Sequence, residues 1–268
     1  MKLKAKAKIN LSLNITGVKN GYHELESVVT EISLADDVYF KKSDEISVKY
    51  KNFDIPPEKD NAFKALKEFY TLYGKGAEIV IRKKIPIKSG LGGSSADAVG
   101  VLKALKILYP ETDEDALKEI AVKCGSDCLV QYTGGLSVMR GRGESVQPIA
   151  FDKKLYFLVV PVDGGVDTAK CFSLFDSGEK VGIVDNNRLI EGLKRGEKAL
   201  LGNCLTSPAK KLNPRIKEAE ELLKGLCDVV NMSGSGSAVY ALFYSKTQAK
   251  KTLKKVREKY PSAFLCEN

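Results

Sequence analysis

Residues 86–97 read "PIKSGLGGSSAD", with glycines at 90, 92 and 93 directly ahead of Ser94, Ser95, Ala96 and Asp97. Glycine inside a helix or strand is destabilising by about 1 kcal/mol relative to alanine, so a cluster of three is not there for stability. It lets the backbone turn sharply and approach something closely. With a helix opening behind the glycines, unpaired N–H groups and the helix dipole would meet at one point, and both favour an anion. Pro86, Lys88, Ser89, Gly90, Leu91, Gly92, Gly93, Ser94, Ser95, Ala96 and Asp97 are therefore read as a phosphate cradle. Neither Gly-x-x-x-x-Gly-Lys-Ser/Thr nor Gly-x-Gly-x-x-Gly is present. A flexible turn with Ser94 as a plain helix cap is the competing reading.

Other residues could join such a site. A second run of small residues, Ser233, Gly234, Ser235, Gly236 and Ser237, gains weight if both loops converge on one ligand. Lys8 falls in the N-terminal alternating stretch "KINLSLNI", where a lysine is ordinarily a solvated edge charge. Asp127 follows a helix stop, and an acid there is as readily a helix cap as a proton acceptor. His23, the single histidine, stands beside Tyr22 on a turn, a pair that could stack a flat base.

The elements that would position these residues follow from periodicity. Apolar residues alternate through Ile9, Leu11, Leu13 and Ile15, which predicts one strand to Ile15, with "TGVKNGYH" as a turn. "SVVTEISLADDVYF", "EISVKY" and "AEIVIRKKIPI" read as strands. "DNAFKALKEFYTLYG" is an amphipathic helix stopped by Gly74. A helix follows the glycine loop from about Ser95 to Leu108, and Thr112 opens the next with capping-box spacing to Asp115. "GGLSVMRGRGESVQPI" reads as a hairpin closing the first half. From "FDKKLYFLVVP" a second unit begins, with a helix behind Asn213-Pro214 and short strands flanking the second small-residue run. Mixed hairpins and helices without strict strand–helix alternation predict an α+β fold.

Composition excludes several classes. The chain has 268 residues and a formal net charge of +9. Its lysines are interleaved with acids and apolar residues, so no basic arm for nucleic acid stands out. No apolar run is long enough to span a membrane. The six cysteines offer one close pair, Cys124 and Cys128, poor material for zinc beside a single histidine. Free thiols and a cytoplasmic location are expected.

Taken together, "KINLSLNI", "IPIKSGLGGSSADAV" and "SGSGSAVYALF" resemble, in order and spacing, the three motifs of the GHMP kinases (galactose, homoserine, mevalonate and phosphomevalonate kinases) across essentially the whole chain. "AKINLSLNI" followed by "GYHELESVV", with "GSDCLVQYTGG" and "NCLTSPAKKLNP", is similar to a member whose acceptor is a cytidine-diphosphate-linked alcohol of isoprenoid precursor synthesis. The sequence departs from that member at Cys204, where an aspartate is usual, and at Leu129-Val130, where Pro-Phe is usual.

The resemblance implies a two-domain architecture: a ribosomal-protein-S5-like domain over residues 1–150 and a ferredoxin-like α/β-plait domain over 151–268. It implies ATP as phosphoryl donor on residues 86–97, with Lys8 and Asp127 at the acceptor hydroxyl. Asn10 would hold polar groups of the substrate, and Tyr22, His23, Thr168 and Phe172 would lie at its cytidine end. Magnesium is expected with ATP; its ligands are unassigned, Ser95 and Asp97 being candidates. The partners implied are small molecules, without nucleic acid or membrane, in a monomer or homodimer. Another GHMP small-molecule kinase, for homoserine or a mevalonate derivative, shares the loop but has no base to stack. An RNA-associated domain of similar half-fold would show arginines and aromatics where this chain clusters glycines.

Overall fold

The computed structural model describes residues 1–51, 54–178 and 182–268. Its first half runs β1 (Lys2–Asn10), β2 (Ser12–Lys19), β3 (Tyr22–Ser43), β4 (Ser47–Tyr50), α1 (Asn61–Tyr73), β5 (Gly76–Arg82), α2 (Gly93–Leu108), α3 (Glu114–Cys124), α4 (Cys128–Thr133), β6 (Leu136–Gly141) and β7 (Ser145–Ile149). There follow β8 (Tyr156–Val160), α5 (Thr168–Asp176), α6 (Asn186–Arg195), β9 (Gly202–Asn203), α7 (Thr206–Leu212), α8 (Arg215–Lys224), β10 (Val230–Met232), β11 (Val239–Phe243), α9 (Lys246–Val256) and β12 (Phe264–Glu267).

Two sheets organise these elements. The long β3 is the spine of the first and pairs antiparallel with β1, β2, β5 and β6 along successive stretches of its length. The second has the order β10-β11-β8-β12. The short β9 crosses over to pair parallel with β2, so the later half of the chain contributes to the first sheet. One apolar core runs under both, from Ile9 and Leu66 to Phe157 and Tyr240.

Local chemistry sets the helix ends. Asp60 caps α1 by accepting from the Ala62 N–H at 2.9 Å, and Gly74 closes it in the left-handed region at φ 65°. α1 buries Ala62, Ala65, Leu66 and Phe69, and an apolar side chain of this size contributes roughly 1.5–3 kcal/mol when fully buried. Gly100 lets α2 press on the sheet: a Cβ there would lie 2.9 Å from both Ala5 Cβ and Val38 Cγ2.

Three sequence expectations are corrected. The strand expected to reach Ile15 is two, broken at Leu11, and β2 continues to Lys19. Only Asn20 and Gly21 then turn the chain, both at positive φ. Asp113, not Thr112, caps α3: its carboxylate takes the Ala116 N–H, while the Thr112 hydroxyl turns back to the Tyr109 carbonyl. α2 starts at Gly93, two residues early, because Gly92 occupies the cap position at φ 71°; Ser94 is therefore not the cap.

Candidate active site

The β1–β3 register shifts between Lys6 and Lys8. Lys4 and Lys6 are about half exposed, whereas the Lys8 side chain is only 3% exposed. What covers Lys8 is the glycine loop: its N–H donates to the Leu91 carbonyl at 3.1 Å. A buried ammonium needs partners. Lys8 Nζ lies 3.1 Å from Asp127 Oδ2 and donates to Asn10 Oδ1 at 2.5 Å. Asn10 in turn donates one amide N–H to the Ser27 hydroxyl at 2.8 Å.

Asp127 stands at the cap position of α4, yet its side chain makes no cap hydrogen bond. The carboxylate turns to Lys8 and stays 27% exposed. The side chain is therefore not acting as a cap. Beside it, burial pushes the Cys128 thiol up to about 12, so it is no nucleophile at neutral pH.

The two small-residue loops converge. The Ser233 hydroxyl donates to the Gly90 carbonyl at 3.0 Å and accepts from the Asn10 N–H at 3.2 Å. The Ala238 N–H donates to the Ser89 carbonyl at 2.9 Å. Gly90, at φ 76°, admits this approach, since a Cβ there would collide with the Ser233 carbonyl. Asn203 fixes the second loop by donating to the Met232 and Gly234 carbonyls at 2.9 and 2.8 Å. The neighbouring Cys204 is buried in the core of the second sheet.

Between these loops lies a cleft of about 910 Å³. Lys8, Asn10, Tyr22, His23, Asp127, Thr168 and Phe172 all line it, as do residues 86–95, Asp97 and 234–236. Three expected site residues do not. Ala96 points into the core, the Ser233 side chain is spent between the loops, and the Ser237 hydroxyl donates to the Val162 carbonyl at 2.5 Å. At the far end His23 stacks on Phe172, with ring centroids 4.8 Å apart, and its Nε2 lies 2.7 Å from Asp176 Oδ1. Thr168 shares a 2.8 Å hydrogen bond with Ser235.

Arg142 and Lys83 are among the cleft residues that escaped the sequence reading. Arg142 lies over the Tyr22 ring at 3.6 Å. Its signal was available, an arginine between two glycines at a hairpin turn. Lys83 sits on the floor of the cleft, and nothing in a lysine-rich chain marked it out. Of the two metal candidates, Asp97 has its Oδ2 accepting from Lys83 at 2.6 Å, while its buried Oδ1 has no hydrogen-bond partner. Among the described residues no group of three or more His, Cys, Asp or Glu could hold a metal ion.

A helix N-terminus that opens on a cleft beside a paired lysine and acid suits the transfer of a phosphoryl group. Residues 60–138 match the family model of the GHMP kinases N terminal domain, and residues 189–262 that of the GHMP kinases C terminal. The chain is 33% identical to 4-diphosphocytidyl-2-C-methyl-D-erythritol kinase of Clostridium tetani, over 99% of both chains. It is 36% identical to the kinase of that name from Bacillus pumilus, over 91% of this chain and 89% of the relative. A crystal structure of 4-(cytidine 5'-diphospho)-2C-methyl-D-erythritol kinase superposes with a TM-score of 0.85 at 29% identity, covering 100% of this chain and 98% of that one. Homoserine kinase from Cytophaga hutchinsonii shares the fold at a TM-score of 0.72 and 17% identity, covering 100% of this chain and 93% of its own. The chain belongs to the GHMP kinases, in the family of the 4-diphosphocytidyl-2-C-methyl-D-erythritol kinases.

Proposed function

We propose that the protein transfers the γ-phosphoryl group of ATP to the 2-hydroxyl of 4-diphosphocytidyl-2-C-methyl-D-erythritol. The observation that carries this reading is the buried Lys8–Asp127 pair, 3.1 Å apart, in one cleft with the His23–Phe172 stack. The chain divides near residue 150, and the cleft draws residues from both sides.

The first N–H groups of a helix have no intrahelical acceptor. Those of α2, with the bent backbone of residues 90–92, receive the ATP phosphates. Transfer passes through a loose transition state, so alignment and charge stabilisation dominate over early deprotonation. Asp127 accepts the hydrogen of the attacking hydroxyl and aligns its oxygen with the γ-phosphorus. Lys8, held by Asn10, fixes that carboxylate and meets the negative charge that develops on the transferred group. Asn10 acts on the lysine through its oxygen, and its amide keeps a second N–H, with a place in the cleft lining, for a polar group of the substrate. His23, Phe172 and Tyr22 receive the cytosine, and Arg142 and Thr168 line its approach.

Magnesium travels with the ATP phosphates. The Ser95 hydroxyl lines the cleft without a hydrogen-bond partner among the described residues and fits such an ion, and Asp97 beside it offers its unpartnered Oδ1, its Oδ2 being bound to Lys83. When bound, the ion neutralises phosphate charge. Among the described residues no helix is long and apolar enough to cross a membrane. Phosphorus NMR of the reaction tests the assignment. It should show a new phosphomonoester on the 2-oxygen formed in step with ADP. ADP release without that product would contradict it.

A further inference from the structure

Both ends of the glycine loop are tied to one buried set of charges. Lys83 follows β5 directly, and its ammonium donates to Asp36 Oδ2 on β3 and, at 2.6 Å, to Asp97 Oδ2 on α2. It also reaches the Gly93 carbonyl at 3.2 Å. The other oxygen of Asp36 accepts from the Lys84 and Ile85 N–H groups, at 2.5 and 2.8 Å. Lys84 and Ile85 lead into the loop; Gly93 and Asp97 lead out of it. One lysine therefore joins the strand before the loop to the helix after it.

The surroundings are built for this contact. The side chains of Asp36, Asp97 and Lys83 are 0%, 2% and 9% exposed. Such a buried network contributes little more to stability than apolar residues of the same volume would, so its presence calls for another reason. Gly93 supplies one. Its φ is ordinary, and its lack of a side chain serves approach instead: a Cβ would lie 3.2 Å from Ile85 Cγ2 and 3.4 Å from Lys83 Nζ. Asp97 also stands one turn into α2, where a free carboxylate would compete with phosphate for the dipole. Bound to Lys83 it is drawn aside.

We infer that Lys83 and Asp97 are positioning residues of the phosphate loop. Lys83 sets the first turn of α2 against the end of β5 so that the N–H groups behind Gly92 converge on one anion, and Asp97 holds Lys83 in place. The inference rests on the proposed reading of this loop as the ATP site. It places the effect on the donor side of the reaction, because Lys83 bonds to Asp36, Gly93 and Asp97 and to none of Asn10, Lys8 and Asp127.

The test uses the full chain and the variants Asp97→Asn, Asp97→Ala and Lys83→Met. ADP affinity is measured by calorimetry, KM for each substrate by steady-state kinetics, and Tm by calorimetric melting. Asp97→Ala and Lys83→Met should weaken ADP and raise KM for ATP by about tenfold or more, with KM for the acceptor within about twofold. Asp97→Asn keeps an oxygen acceptor for Lys83 and should recover most of the ATP affinity. A fall in Tm with unchanged ADP affinity, an equal rise in both KM values, or an asparagine variant no better than alanine would overturn the inference. If Lys83→Met does not fold, the two Asp97 variants decide the matter alone. Failure of the wild type to bind ADP overturns the loop reading itself, whereas wild-type binding with unaffected variants overturns only the positioning role.

Discussion

Lys8 and Asp127 come from opposite ends of the N-terminal half of the chain and meet at 3.1 Å, the lysine buried and the acid partly open to the cleft. The arrangement separates binding from chemistry, because the ammonium is already paired before any substrate arrives.

The first expectation follows from that pair. Asp127→Asn keeps the shape and removes the charge, so kcat should fall by about 10²–10⁴-fold while both KM values stay within a few-fold. Lys8→Met should lose turnover on a similar scale. Steady-state kinetics with both substrates checks it, and turnover above about a tenth of wild type would take Asp127 out of the mechanism.

The glycines of the loop should differ in their response. Gly92 is at φ 71°, and a Cβ there would lie 2.8 Å from Gln131 Oε1 and 3.0 Å from Lys8 Cγ. Gly92→Ala should therefore lower kcat by displacing Lys8 as well as raising KM for ATP. Gly90→Ala drives a methyl group into the Ser233 carbonyl and should part the two loops, visible as a lower Tm. Comparing kcat, KM and Tm for the two variants tests whether the glycines do separate work.

These differences mark what the sequence could and could not reveal. The glycine loop, its helix and the hairpins were legible because glycine spacing and apolar periodicity are local. The orientation of Asp127 was not, and only the family resemblance set it at the acceptor, since whether a carboxylate caps a helix or faces a lysine depends on how a distant strand packs. Lys8 looked like Lys2, Lys4 and Lys6, with which it alternates, until the loop was folded over it. The break at Leu11 was hidden because the alternation runs through it without interruption. Lys83 carries no local signal at all, for its carboxylate partners come from β3 and α2.

At the base end, His23 stacks on Phe172 with an interplanar angle of 26° and touches Asp176 at its edge. An aromatic surface of this kind binds a base with roughly 1–3 kcal/mol per stack. His23→Ala should weaken the cytidyl substrate about tenfold or more, with KM for ATP unchanged. Recovery in His23→Phe would indicate stacking; failure of both variants would indicate a polar contact. Titrations with cytidine diphosphate read this out directly.

Stability should depend on acid through Asp37. The Lys4 ammonium at 2.5 Å, with Lys84 at 2.9 Å, holds its carboxyl well below the ordinary 3.8. A carboxyl depressed in the fold stabilises above its unfolded value, and that contribution is lost as pH falls toward the folded one. Asp37→Asn should therefore lower Tm near neutral pH, and the gap from wild type should narrow as pH drops below the ordinary carboxylate value. A gap that is constant with pH would show that packing, not charge, carries the effect.

If one cleft joins a phosphoryl-transfer pair to a base-binding end, the base on the acceptor decides turnover. ADP production measured across acceptors tests it most directly: 4-diphosphocytidyl-2-C-methyl-D-erythritol, methylerythritol phosphate without the cytidyl group, homoserine and mevalonate. Efficient turnover of the cytidyl acceptor with poor turnover of the other three is the expected result. Equal turnover of the cytidyl and non-cytidyl methylerythritol compounds would contradict the account, because the His23–Phe172 end of the cleft would then have no part in choosing the substrate.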